Sequence, residues 1–326
     1  KQMAINRINW LSVLQGWSML LVVIGHVTLT NVFQDPETPV SAEIERIIYS
    51  FHMPLFMFIS GFLFYLTKIG RNKRYVETIG DKAKRLLIPY AAFTCATFFL
   101  KYAFNPLMRR PVDFSWSEIL DIVTFRSNPL AEMWFISTLF VLFLFFPIYK
   151  WSLGGKMKSV LMFCAALLIY FFFPKDIELF CISYASSYLL FFYTGILISK
   201  YGGGKFLDTP VLLWCCTALM VGCSLYPGIP LLNIFVGIFF SLTLCMFLSR
   251  HLPGLFGSFR EYTFQIFLMG IFFQIAIRFI YAKLGIACLY WPLYIVSILL
   301  ALYMPVLISK AIRKTGSKAL ARCFGL

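Results

Sequence analysis

Apolar residues run along this chain in long blocks separated by short turns. About 20 such residues are needed to cross roughly 30 Å of hydrocarbon as a helix. Blocks of that kind occur near 9–29, 45–67, 86–104, 131–149, 158–174, 179–199, 209–226, 229–249, 262–282 and 288–309. The pattern predicts an all-α, polytopic membrane protein of about ten transmembrane helices. It forms one domain over residues 1–326, with no separate soluble domain, low-complexity tract or internal repeat. Gly and Pro mark the turns, as in "YGGGK" from Tyr201 and "YPGIP" from Tyr226. The first block, Ile8 to about Thr30, is longer than the core of a signal peptide and no small-residue cleavage site follows it, so it is expected to remain as an anchor.

Composition supports lipid as the solvent. Hydrophobic residues make up 60% of the chain, charged residues only 13%, and mean hydropathy is +0.81. Soluble domains carry about 25% charged residues, too many for this chain to be one. The nine cysteines are an odd number without paired spacing, which argues against a disulfide framework or a metal motif and leaves them as small packing residues.

The net charge of +15 would suggest nucleic acid as a partner for a soluble protein, but here the basic residues lie between apolar blocks and orient the chain. With the N-terminus inside, 21 of the 29 Lys and Arg fall on the cytoplasmic side, whereas 10 of the 14 acids fall outside. Both termini are therefore expected in the cytoplasm. Two longer outer loops follow, Asn31–Glu45 and Asn105–Leu130. The second contains an amphipathic stretch, "SWSEILDIVTF", suited to lie along the interface.

Ionisable groups within a bilayer are expensive and point to function. His26 lies about one turn from the outer end of the first helix, and His52 about one and a half turns from the outer start of the second. These helices run in opposite directions, so the two imidazoles reach similar depth. Imidazole can accept and return a proton near neutral pH; it can equally serve as a hydrogen bond between helices. Ser12, Gln15, Met19, Val22 or Val23, and His26 share one stripe, with Gln15 and His26 close to three turns apart. A polar residue in the inner half and a His near the outer end would line one interior path. His251, beside Arg250 at the cytoplasmic mouth, reads as interfacial.

Several strings then become recognisable. "INWLSVLQGWSMLLVVIGHV" ends in Gly25-His26; "IIYSFHMPLFMFISGFLF" includes His52, Pro54, Ser60 and Gly61; "KRLLIPY" runs from Lys84; "MWFISTLF" contains Trp134 and Phe135. In their order and spacing they resemble the acyltransferase-3 family of membrane acyltransferases, especially its fucose-4-O-acetylase-like branch of sugar O-acetyltransferases.

That resemblance implies transfer of an acyl group, usually acetyl, from cytoplasmic acyl-CoA to a hydroxyl of an envelope glycan or lipid-linked sugar, in a bacterial inner membrane. It implies His26 as the catalytic His, His52 as a second active-site His, and Arg85, with Lys84 and Gln15, as contacts for CoA. No metal or nucleic acid is implied. An unactivated hydroxyl needs a base as it attacks a thioester, and His26 would act directly or through an acyl-imidazole. The seven cations from Lys68 to Arg85 suit CoA's phosphates, although positive-inside topology produces such charges too. Glu132 and Trp134 are candidate acceptor contacts; an interfacial charge and an aromatic belt are the alternatives.

Two departures from the family pattern stand out. Ser12 and Gln15 occupy the places of an acidic and a basic residue, and Gly270 stands in "TFQIFLMG" where a His is common. A transporter with proton-relaying histidines, or a non-catalytic relative, remains a rival reading.

Overall fold

The computed structural model describes residues 2–27, 38–105, 111–202, 209–226 and 228–326, the side chains of 2–8 excepted. Among these the regular structure is all helical, without strands. Its helices are α1 (Gln2–Gly25), α2 (Pro39–Tyr49), α3 (His52–Phe64), α4 (Tyr75–Ala103), α5 (Trp116–Val123), α6 (Trp134–Leu144), α7 (Phe146–Ser152), α8 (Lys156–Phe172), α9 (Ile182–Tyr201), α10 (Pro210–Leu225), α11 (Pro230–His251), α12 (Thr263–Leu284), α13 (Tyr290–Thr315) and α14 (Lys318–Cys323).

Over their described residues, all ten predicted blocks are mostly helical or broken-helical. Six helices among the described residues are long and apolar enough to cross a membrane, or seven if the pair Ala131–Leu144 and Phe146–Ser152, bent by 52°, forms one span. Asn9–Gly25 and Pro210–Leu225 are apolar but shorter.

The breaks have covalent causes. Pro54 has no N–H and its ring crowds the carbonyl of residue 50, and the helix of the second block is interrupted there, between α2 and α3. Pro147 stands in the first turn of α7, where a missing N–H costs nothing. Boundaries differ from expectation where polar residues continue a helix. α2 starts at Pro39 rather than near 45, because the Thr38 hydroxyl caps it by accepting from the Ser41 N–H at 3.3 Å. α4 starts at Tyr75, about three turns before its apolar block. The amphipathic stretch of the second loop forms α5, capped by Ser115 through Glu118 N–H at 3.2 Å. The start of the first outer loop, 31–37, and most of "YGGGK", 203–205, lie outside the described residues, as does Pro227 of "YPGIP".

The chain divides into two compact units, each built from separate stretches. The first comprises Lys1–Phe56 and Gly203–Ser317; the second comprises Met57–Gly202 and Lys318–Leu326. In the first unit α1 lies against α2, α11, α12 and α13. Met19 and Val23 of α1 are buried with Phe259, Ile266, Ala301, Leu302 and Val306. Polar groups tie the same helices: Trp17 Nε1 donates to Ser241 Oγ at 3.2 Å, and Gln274 Nε2 to the Val23 carbonyl at 2.7 Å. In the second unit Phe64, Phe143, Phe146, Tyr149 and Phe192 form a ring cluster. There α3 and α9 approach closely: a Cβ on Gly61 would fall on the Phe192 carbonyl, and one on Gly195 on the Phe58 carbonyl.

Candidate functional site

His26 and His52 are neighbours in the first unit. Their ring centroids are 6.1 Å apart and the planes stand at 83°. His26 follows the last residue of α1 and His52 opens α3, after the interruption at Ser50–Phe51. Gly25 keeps α2 close to α1, since a Cβ there would lie 3.0 Å from Ile48 Cγ2.

Each ring is held by its own backbone. His26 Nδ1 lies 2.8 Å from the Val22 carbonyl, and His52 Nδ1 lies 2.9 Å from the Ile48 carbonyl. A carbonyl oxygen only accepts, so in the neutral ring Nδ1 carries the hydrogen and donates it. The lone pair is thereby assigned to Nε2 in both histidines. His26 is half-buried, whereas His52 is 2% exposed and its Nε2 is buried without a hydrogen-bond partner among the described residues. An unsatisfied buried acceptor of this kind costs about 1–3 kcal/mol. His251 makes the same local bond, Nδ1 to the Phe247 carbonyl at 3.0 Å, but it is exposed at the end of α11. Environment separates the pair from the third histidine; the local bond does not.

Tyr49 completes the group. Its ring centroid lies 4.8 Å from His52 at 63° and 5.7 Å from His26 at 36°. Sequence reasoning missed it, although Tyr49 is only three residues before His52 and at the end of α2, where a helical turn brings it beside the ring.

Gln15 lies half-buried on α1, in the same unit as His26. Two residues of the stripe between them belong to the apolar core, whereas Val22 is partly buried. Met19 and Val23, 2% and 4% exposed, are packed against α12 and α13.

The other candidates belong to the second unit. Lys84 and Arg85 are exposed on α4. The inward cation on that turn is Lys82, which the sequence analysis did not single out; its Nζ lies 4.1 Å from the Phe143 ring centroid and 5.7 Å from that of Phe64. Glu132 is half-buried in the 3-10 turn Ala131–Met133. Trp134 stacks on Tyr184 at 4.7 Å and on Tyr188 at 5.4 Å, two residues one turn apart on α9. No group of three or more His, Cys, Asp or Glu suited to a metal occurs among the described residues.

A family model described as an acyltransferase domain, that of acyltransferase-3, matches residues 8–310. The chain belongs to the acyltransferase-3 family. Together with the apolar helices, this makes it an integral membrane protein. Two curated relatives are both nodulation protein NolL. The one from Mesorhizobium japonicum is 30% identical over 130 residues, 40% of this chain and 32% of that protein. The one from Sinorhizobium fredii is 37% identical over 82 residues, 25% of this chain and 22% of that protein. The chain thus spans about a third or less of the length of these relatives. No solved structure gives a significant match.

Gly270, the departure noted in the sequence, lies at a close helix contact. Gly270 of α12 faces the backbone of α13, and a Cβ would lie 3.2 Å from the Ala301 carbonyl. Pro305, inside α13, supplies no N–H to that carbonyl. Any side chain at position 270 would press its Cβ on the α13 backbone more tightly than an ordinary contact.

Proposed function

We propose that the protein is a membrane O-acyltransferase that moves an acyl group, acetyl in the first instance, from cytoplasmic acyl-CoA to a hydroxyl of an envelope glycan or lipid-linked sugar. We read it as a ten-span protein of the bacterial inner membrane with both termini in the cytoplasm. Family membership supports the acyl-transfer chemistry, and the distribution of Lys and Arg supports the orientation.

The reading is carried by one observation: two imidazoles side by side, each with Nδ1 bound to a carbonyl and Nε2 left as the basic atom. His26 is the more accessible, so it acts as the base. Nε2 takes the proton of the acceptor hydroxyl as its oxygen attacks the thioester carbonyl. The tetrahedral intermediate collapses with breakage of the C–S bond, and the imidazolium returns the proton to the leaving thiolate. The products are the acyl ester and free CoA. His52, with its buried lone pair, accepts a hydrogen bond from the acceptor or from the protonated His26 and so holds the proton near the reaction. Lys84, Arg85 and Gln15 are proposed to contact CoA, and Glu132 and Trp134 the acceptor sugar.

The test is mass spectrometry of surface glycans from cells with and without the gene. A loss of one acyl mass per modified sugar is expected on deletion, and unchanged glycans on deletion would remove the reading. Tyr49 offers a finer test. Aromatic pairs contribute about 0.5–1.5 kcal/mol beyond burial, and each 1.36 kcal/mol in a barrier is about tenfold. Tyr49→Ala is therefore expected to lower the transfer rate about tenfold, and Tyr49→Phe to restore most of it if ring packing holds the imidazoles. Equal rates for Tyr49→Ala and the unaltered protein would show that the ring positions neither.

A further inference from the structure

The second unit contains a cleft of about 600 Å³ away from the residues assigned above. The segment leading into α4 forms one wall and α7 the other. Lys73, Arg74 and Lys150 bring cations to it, and Tyr75, Phe146 and Trp151 bring rings. The walls are joined: Lys150 Nζ donates to Asn72 Oδ1 at 2.7 Å, and Tyr75 OH donates to the Leu144 carbonyl at 3.3 Å. Asn72 adopts a left-handed φ of 51°, a conformation that asparagine tolerates better than most residues, and it turns the chain into α4 there.

The charge is poorly compensated. Lys73 is 3.8 Å from Glu77, an exposed pair that contributes little. Arg74 and Lys150 make no ion pair among the described residues. A further cation, Lys158, lies 5.2 Å from the Trp151 ring centroid.

Positive-inside topology accounts for cations on this side of the protein and the interfacial belt for exposed rings; the cleft is distinguished by gathering both around one concavity. Phe146 is buried at 2% exposure, whereas Trp151 is 56% exposed and Tyr75 39%. Anionic lipid headgroups would satisfy the cations alone. A ligand carrying both phosphates and a planar base uses the cations and the rings together. The volume lies within the usual range of small-molecule sites, about 300–1,000 Å³.

We propose that this cleft binds the nucleotide end of the acyl donor, with its phosphates on Arg74 and Lys150 and its base against Trp151. The proposal rests on the acyl-CoA reading above and assigns the nucleotide end to the cleft, leaving Lys84, Arg85 and Gln15 to the rest of the donor.

The test uses the full chain in nanodiscs, with adenosine 3′,5′-bisphosphate as the probe, titrated by calorimetry. Arg74→Ala and Lys150→Ala are each expected to weaken probe binding roughly tenfold, the worth of one charge-assisted hydrogen bond. The same variants should raise KM for acetyl-CoA with kcat kept. Lys150→Ala also removes the bond to Asn72, so Arg74→Ala and Trp151→Ala, both at exposed positions, carry the decision. Variants that still transfer acyl groups but bind the probe as the unaltered protein does overturn the cleft and leave the transferase reading in place. Failure of the unaltered protein to bind the probe overturns it as well. So does weakened binding of short-chain phosphatidylglycerol, added to the same nanodiscs, without weakened probe binding, which would make the cleft a lipid site. A protein that binds the probe through these residues yet transfers no acyl group supports the cleft and removes the transferase reading.

Discussion

Replacing His26 with alanine is expected to lower acyl transfer by roughly 10²- to 10⁴-fold, the usual contribution of a positioned general base. The expectation follows from the ring's hydrogen bonding. Nδ1 is bound to the Val22 carbonyl, so Nε2 is the only nitrogen able to take a proton from an acceptor. The buried His52, by contrast, is a poor substitute, being 2% exposed. Folding should change little. His26 lies beyond the end of α1, its hydrogen bond is local, and α1 is held by Met19 and Val23 in the apolar cluster and by the Gln274 bond to Val23. Loss of one such bond costs about 1 kcal/mol. The measurement is transfer from labelled acetyl-CoA in membranes, paired with the thermal midpoint of the purified protein. A His26→Ala protein that acylates at the normal rate would end the assignment of His26 as base.

Valine at Gly61 is expected to prevent the second unit from folding. The two glycines at this crossing are reciprocal: each lies over the carbonyl three residues before the other, Gly61 over Phe192 and Gly195 over Phe58. Backbone approaches this close exclude any side chain, and small residues at such crossings are how membrane helices gain contact without a hydrophobic driving force. Overpacking costs about 1–3 kcal/mol when side chains can yield; here the obstacle is backbone on both sides, so the cost lies at or above that range. Gly80 on α4 is the matched control, since a Cβ there meets nothing within 4 Å. Gly80→Ala should be neutral or stabilising by up to about 1 kcal/mol through helix propensity. Thermal midpoints and protease resistance of the two variants test the contrast. A Gly61→Val protein as stable as Gly80→Ala would mean that α3 and α9 do not cross in this way.

Parts of the site were legible for identifiable reasons. His26 and His52 were placed together by two helices of opposite direction and a short count from each end, which needs no knowledge of packing. Lys84 and Arg85 were chosen from a motif string, and a string does not say which of neighbouring cations turns inward; the side chain over Phe143 is Lys82. The stripe from Gln15 to His26 follows from helical geometry; that its Met19 and Val23 have α12 and α13 against them does not. The absent third histidine at Gly270 was visible in the sequence, but the close approach of the Ala301 carbonyl to that position was not.

The helices themselves, their breaks at Pro54 and Pro147, the segregation of charge and the family are determined by the sequence alone. Each depends on local rules: backbone groups in lipid must be satisfied within the helix, proline removes a donor, and cations remain where water is. Which faces meet was decided only by the tertiary structure. Helices apolar on nearly every side carry no amphipathic stripe to mark a contact face. The reciprocal glycines, Tyr49 beside both imidazoles, the inward Lys82 and the cleft between the α4 entry and α7 therefore emerge only from the packed helices, where shape rather than polarity selects the partner.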